Sequence, residues 1–305
     1  MTEQAFKHKC SITQLFKLDF LPISRYFMPQ KVLRFARIPF GAHKPLSCRK
    51  LGRGIVAERY SREVGMSLLG IDVGTTGTKA VAFNLDGEVV ASAYREYPLL
   101  SPKPRWLELD AHQVTEAILE VIREVAARTK HDPIQAISVS CQGEAAVPVS
   151  KDGEILYNTP ISFDARTDEL ARWWAERMSP EEVFRITGMP LHPMHTILKV
   201  LWMREHEPEV FRRVWKFLCY EEYVFYLLGL EPTTDYSLAA RTMVFDVRQK
   251  RWSERMLGVA GLSEDIFPKV APSGTAVGVV PRRKAEELGL PRGVVAATGG
   301  HDQPC

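Results

Sequence analysis

The chain has 305 residues, 45% of them apolar and 25% charged, the proportions of an ordinary globular protein with room for about two domains. No apolar run approaches the ~20 residues needed to cross a bilayer. The net charge of +3 hides an asymmetry: residues 1–65 hold 13 Lys/Arg against 4 Asp/Glu, leaving 27 against 33 for the rest. An acidic body argues against a nucleic-acid footprint there. The five cysteines, Cys10, Cys48, Cys141, Cys219 and Cys305, lack any C-x-x-C spacing, so neither a disulfide framework nor a zinc site is expected. A cytoplasmic location is the natural expectation.

Residues 1–66 read as a basic, irregular extension without sustained helix or strand period. A misplaced start, with Met66 as the true first residue, is the plainest account. A transit peptide or a basic nucleic-acid arm are the alternatives. From Ser67 the pattern sharpens. LLGIDVG is a short apolar run ending in turn residues, as in a buried strand. TKAVAFNL predicts a second strand, Asp86-Gly87 a hairpin turn, and EVVASAYREY a third strand. Asp110 is placed to cap a helix, with Gln113 reaching back and Val114, Ile118, Val121, Ile122 and Val125 along one stripe. IQAISVS follows as a buried strand, so a mixed sheet with a covered face is expected.

Farther on, Ser179-Pro180-Glu181-Glu182 is a helix start. LKVLWMREH and EVFRRVWKFL predict two amphipathic helices, and PRRKAEELGLPRG a short one closed by Gly289. His192 and His195 have loose metal-like spacing but no acidic or Cys partner nearby, and Trp173, Trp174, Trp202 and Trp215 are expected in the core. VVAATGGHDQ repeats the opening design: an apolar strand, glycines, then an acid.

The two strand tips carry the chemistry. An acid just past a buried strand usually faces a crevice or an ion. Asp72 followed by Gly74, Thr75, Thr76 and Gly77 leaves backbone amides for an anion, and Lys79 adds a charge toward phosphate. Asp72 suits a phosphate only through a cation, which points to Mg²⁺. A plain hairpin with a surface acid is the bland alternative. The spacing is neither the Walker nor the dinucleotide pattern. Asp302 sits at the second tip, and two acids of this kind divide metal binding from proton removal in phosphoryl transfer. Between them Gln142, Gly143 and Glu144 sit just past the end of the fourth core strand. Glu144 is suited to accept from vicinal hydroxyls, and Gly143 allows close approach. Beside the base, His301 either tunes Asp302 or fills the strand end.

Four segments in order, IDVGTTGTKAVAFNLDGEVV, SPKPRWLELDAHQV, TDYSLAARTMVFDVRQKRWSERML and ATGGHDQ, resemble the FGGY carbohydrate kinases, the family of glycerol kinase, xylulokinase and gluconokinase. The resemblance spans residues 67–305, with Ala111 where the second motif has Pro. It implies an α/β, ribonuclease-H-like domain of the actin/Hsp70 type, with mixed sheet and helical insertions. It implies ATP-dependent phosphorylation of a sugar or polyol. Asp302 would be the general base, Asp72 the Mg²⁺ environment, and Gly74, Thr75, Thr76 and Lys79 the ATP phosphate site. Gln142, Gly143, Glu144, Asp164, Met194 and Gln303 would line the sugar pocket. No nucleic-acid or membrane partner is implied; a homodimer of a full-length enzyme is the assembly it allows.

The departures set further expectations. Glycerol kinases have Arg at the place of Gly143 and Tyr at that of Met194, so a wider pocket lacking one charged donor, for a substrate larger than glycerol, is expected. The sequence stops at Cys305, before the family's second domain, so a fragment with little turnover is expected. The rival readings are an actin- or Hsp70-like ATPase and a non-catalytic sugar-binding module.

Overall fold

The computed structural model describes residues 65–305. The expectations for the basic extension therefore fall almost wholly outside the described residues. At the centre lies a six-stranded mixed sheet. β1 (Ser67–Val73), β2 (Gly77–Asn84) and β3 (Val89–Glu96) form an antiparallel meander. α1 (Ala111–Arg128) then crosses to β4 (Ile134–Cys141), which pairs parallel with β1. β5 (Ala276–Val279) forms the edge, and β6 (Val295–His301) pairs antiparallel with it and parallel with β4. The order β5-β6-β4-β1-β2-β3 is the ribonuclease-H-like arrangement expected above.

Local signals account for these elements. In β1 the side chains of Leu69, Ile71 and Val73 are fully buried, as the apolar run requires. The β2–β3 turn uses Gly87 at φ +82°. α1 buries Val114, Ile118, Val121, Ile122 and Val125 against β2 and β3, the stripe read from the sequence. The Asp110 carboxylate accepts from the amides of His112 and Gln113, at 2.9 and 3.2 Å, a cap worth ~1 kcal/mol. Gln113 does not reach back to the Asp110 amide; its side chain donates to the same carboxylate at 3.1 Å.

Of the remaining helices, α2 (Asp168–Ala175), α3 (Pro180–Thr187), α4 (Thr196–His206), α5 (Pro208–Arg213) and α8 (Glu254–Ala260) gather over a second apolar core. α6 (Tyr220–Leu227) and α9 (Arg282–Leu288) pack into the core of the sheet, and α7 (Tyr236–Arg241) contributes to both. Two expectations need correction. α4 is no amphipathic surface helix, since every residue from Thr196 to Met203 is buried. EVFRRVWKFL is not one helix: α5 stops at Arg213, and Val214–Cys219 becomes a strand antiparallel to Ala146–Ser150. The open edge of Ala146–Ser150 supplies hydrogen bonds there, and a β-branched and aromatic stretch packs well on a pleated surface.

Candidate active site

β1, β4 and β6 run parallel and end side by side. Asp72 and Gly300 both stand opposite Ser140 of β4. The ladder continues past the strands, with the Gln142 amide donating to Val73 O at 3.0 Å and the Asp302 amide to Cys141 O at 2.9 Å. Asp72, Gln142 and Asp302 thus share one sheet edge. The Asp72 carboxyl is pushed up to about 6, first by burial and then by the Asp302 carboxylate, with Lys79 opposing. Both carboxylates therefore stand at the same end of the sheet, flanking the end of β4.

The turn after β1 is pinned from outside. The Gly74 amide donates to Gly77 O at 3.0 Å, Tyr97 Oη donates to Gly74 O at 2.7 Å, and the Tyr97 amide donates to Thr76 O at 3.3 Å. The amides of Thr75 and Thr76 meet no protein acceptor among the described residues. Lys79 lies directly across the ladder from Asp72. A carboxyl crowded by a second acid, a neighbouring cation and two unpartnered amides is a donor set that fits a magnesium-bound phosphate.

On the other side of Asp302 the loop after β4 is held tightly. Glu144 is 1% exposed and sits at φ +64°, a conformation uncommon for a residue other than Gly or Asn. Ser162 Oγ donates to its Oε2 at 2.6 Å, and the Arg241 guanidinium pairs with its Oε1. Thr196 Oγ1 and Lys199 Nζ donate to its carbonyl at 3.2 and 3.1 Å. Burial pulls the Lys199 ammonium down to about 8. Gln142 Nε2 donates to Gly74 O at 3.3 Å, while its Oε1 is buried with no partner among the described residues. Met194 Sδ lies 3.6 Å from the Arg241 guanidinium, so Glu144 and Met194 both meet Arg241, and Gln142 turns toward β1. Gln303 is exposed.

Two expectations change here. Asp164 is closed off rather than open to a ligand. Its carboxylate accepts from the Arg166 amide and Nε at 2.9 and 2.8 Å, from another Arg166 nitrogen at 2.8 Å, and from the Leu107 amide at 2.7 Å. Those four bonds use its lone pairs, and its side chain is fully buried. Nor does Gly143 leave open space. A Cβ there would come within 2.8 Å of His301 Nε2 and 3.2 Å of Arg241 Cγ. Arg241 brings back a guanidinium in place of the donor thought absent.

Several residues of the site and its support went unread in the sequence. Arg166 stacks on Trp106 at 4.2 Å while bridging Asp164 and Glu108, so the Trp-x-Glu turn serves to hold it. Lys199 left a clue, a lone cation in the apolar stretch TILKVLWM. Arg241 gave none beyond its place at the end of α7. His192 and His195 form no metal cluster: among the described residues there is no group of three metal-ligating side chains, and the His195 ring lies between Pro190 O and Arg241 O.

Residues 67–305 match the N-terminal domain of the FGGY family of carbohydrate kinases. The chain belongs to that family. It is 30% identical to the gluconokinase of Bacillus subtilis (strain 168), over 68% of this chain and 40% of that protein. It is also 30% identical to a xylulose kinase of Klebsiella pneumoniae, over 76% of this chain and 48% of that one. Its fold superimposes on ligand-bound xylulose kinase from Lactobacillus acidophilus with a TM-score of 0.72 and 28% identity, covering 78% of this chain and 48% of that one. This FGGY-family chain therefore spans less than half the length of these relatives. Their fold, a ribonuclease-H-like domain of the actin/Hsp70 type, is the fold described above.

Proposed function

We propose that this chain forms the sugar-binding half of an ATP-dependent kinase acting on a hydroxyl of an uncharged sugar or polyol. The observation that carries the reading is the placement of Asp72 and Asp302 on either side of the end of β4, at the ends of the parallel strands β1 and β6, beside the Glu144–Arg241 pair. Family membership supplies the reaction class, since the named relatives are kinases of gluconate and xylulose. Charge argues for a neutral substrate. The Arg241 guanidinium is paired with the Glu144 carboxylate and the Lys199 ammonium is buried against the Glu144 carbonyl, so neither cation is free for a further carboxylate, as in gluconate.

In this mechanism Asp302 accepts the proton of the attacking hydroxyl. Burial raises its pKa, and the adjacent His301 opposes that rise, which keeps it a competent base near neutral pH. Glu144, its carboxylate fixed by Ser162 and Arg241, orients the other hydroxyls, and orientation contributes more than the proton transfer. Asp72, Lys79 and the amides of Thr75 and Thr76 would hold Mg²⁺ and the nucleotide's phosphates. When bound, the magnesium nucleotide supplies the phosphoryl group and offsets its charge. A cytoplasmic setting is part of the proposal and accords with Cys141, Cys219 and Cys305 as free thiols.

Calorimetric titration without nucleotide tests the reading. Xylulose or glycerol is expected to bind with Kd from roughly micromolar to millimolar, and gluconate more weakly. Nucleotide binding with no sugar binding would contradict the proposal and favour an ATPase of the actin type.

A further inference from the structure

Position 143 is where the loop after β4 passes closest to the proposed base. Its neighbours come from two distant segments. His301, at the end of β6, places Nε2 within 2.8 Å of where a Cβ would stand, and Arg241 places its stem within 3.2 Å. Resting on the sugar-kinase reading, we propose that His301 and Arg241, packed over Gly143, together form the polar wall of the sugar site and read substrate hydroxyls with their outer faces.

The wall is built rather than incidental. Both groups are set by α7. Its capping residue Asp235 accepts from the Ser237 amide, Ser237 Oγ, the Leu238 amide and Ser273 Oγ, at 2.7–2.9 Å. Ser237 Oγ in turn accepts from the His301 amide at 2.9 Å, and Arg241 is the last residue of the same helix. Glu221, fully buried, ties the two together: one carboxylate oxygen accepts from the Asp235 amide at 3.0 Å, the other from the Gly299 amide at 2.5 Å. The strand end and the helix therefore move as one body.

The wall also has the right chemistry. Glu144 is 2% exposed at its side chain but Arg241 is 21% exposed, so Arg241 remains partly accessible while it neutralises the acid. His301 Nε2 lies 3.2 Å from Asp302 Oδ1, so the ring touches both the base and the loop. Arginine only donates, a carboxylate only accepts, and a neutral imidazole does one of each. Together they match a row of hydroxyls, each of which donates once and accepts. Gly143 is then required because a larger residue would push out the imidazole. Its backbone is outside the positive-φ region, so alanine there is limited by space alone.

The test is a double-mutant cycle read by calorimetry with xylulose and glycerol, with a melting curve for each variant. Gly143→Ala and His301→Ala are each expected to weaken the better-bound sugar at least tenfold. The double variant is expected to be no weaker than His301→Ala, because the added methyl enters the emptied space. Arg241→Met, which keeps the stem and removes the guanidinium, is expected to cost tenfold or more. In wild-type protein the His301 ring ¹⁵N signals are expected to shift on adding sugar, a readout independent of any variant's folding. Variants within twofold of wild type, losses that multiply in the double variant, or unmoved His301 signals in protein that binds sugar would each overturn the wall alone. Failure of wild-type protein to bind either sugar would instead overturn the kinase reading on which it rests.

Discussion

Asp164 and Glu144 are both buried acids paired with arginines, and their surroundings give them different work. Asp164 spends its carboxylate on Arg166 and the Leu107 amide, beneath the site. Asp164→Asn leaves a buried guanidinium short of a partner, so a loss of ~3 kcal/mol of unfolding free energy is expected in urea titration. The sugar affinity of the folded protein should stay within about twofold. Glu144→Gln is expected to do more at the site, lowering sugar affinity tenfold or more in calorimetry, because the acceptor fixed by Ser162 and Arg241 is gone. Both acids follow a strand or turn in the sequence. Nothing local distinguishes them, since Arg166 and Arg241 are what assign the roles.

Among the elements, β6 carries the tightest constraint. Its register against β4 shifts between Ala297 and Gly300, and a Cβ at Gly299 would stand 2.1 Å from the Val139 carbonyl oxygen. Gly299→Ala is expected to abolish cooperative folding, because a backbone atom of a central strand cannot yield. Gly77→Ala is the contrast: its added carbon meets the Tyr94 side chain, which is 45% exposed and free to turn away. A loss below ~1 kcal/mol is expected there. β1, β2, β3, α1 and α3 were legible because apolar periodicity and caps are local. Val214–Cys219 was misread because its partner, Ala146–Ser150, is far off in the chain. The sugar wall was unreadable for the same reason: Gly143, Arg241 and His301 meet only once the sheet is assembled.

α6 adds a pH dependence. Burial pushes Glu222 from its ordinary 4.5 to about 7, and among the described residues its Oε2 meets no hydrogen-bond partner. Between those values the folded chain holds a proton that the unfolded chain has released. Its contribution to stability is therefore complete below about pH 4.5 and is lost as pH rises through 7, on the order of 3 kcal/mol. Glu222→Gln is expected to raise stability by ~1–3 kcal/mol at pH 8 and to change little at pH 4.5, in melts at the two pH values.

For the whole molecule, the sheet order and the crossover through α1 turn separate sequence motifs into one edge. β1 delivers Asp72, proposed for the cation, β4 the loop with Glu144, and β6 leads to Asp302, the proposed base, from segments about 60 and 150 residues apart in the chain. The motifs alone gave the chemistry of each tip; only parallel pairing of the three strands makes the tips neighbours. The most direct test is a crystal structure of the protein with xylulose bound. The account expects a sugar hydroxyl within ~3.2 Å of the Asp302 carboxylate, other hydroxyls on Glu144, and Asp72 facing the same hollow. Sugar bound elsewhere, or Asp302 turned away from it, would contradict the account.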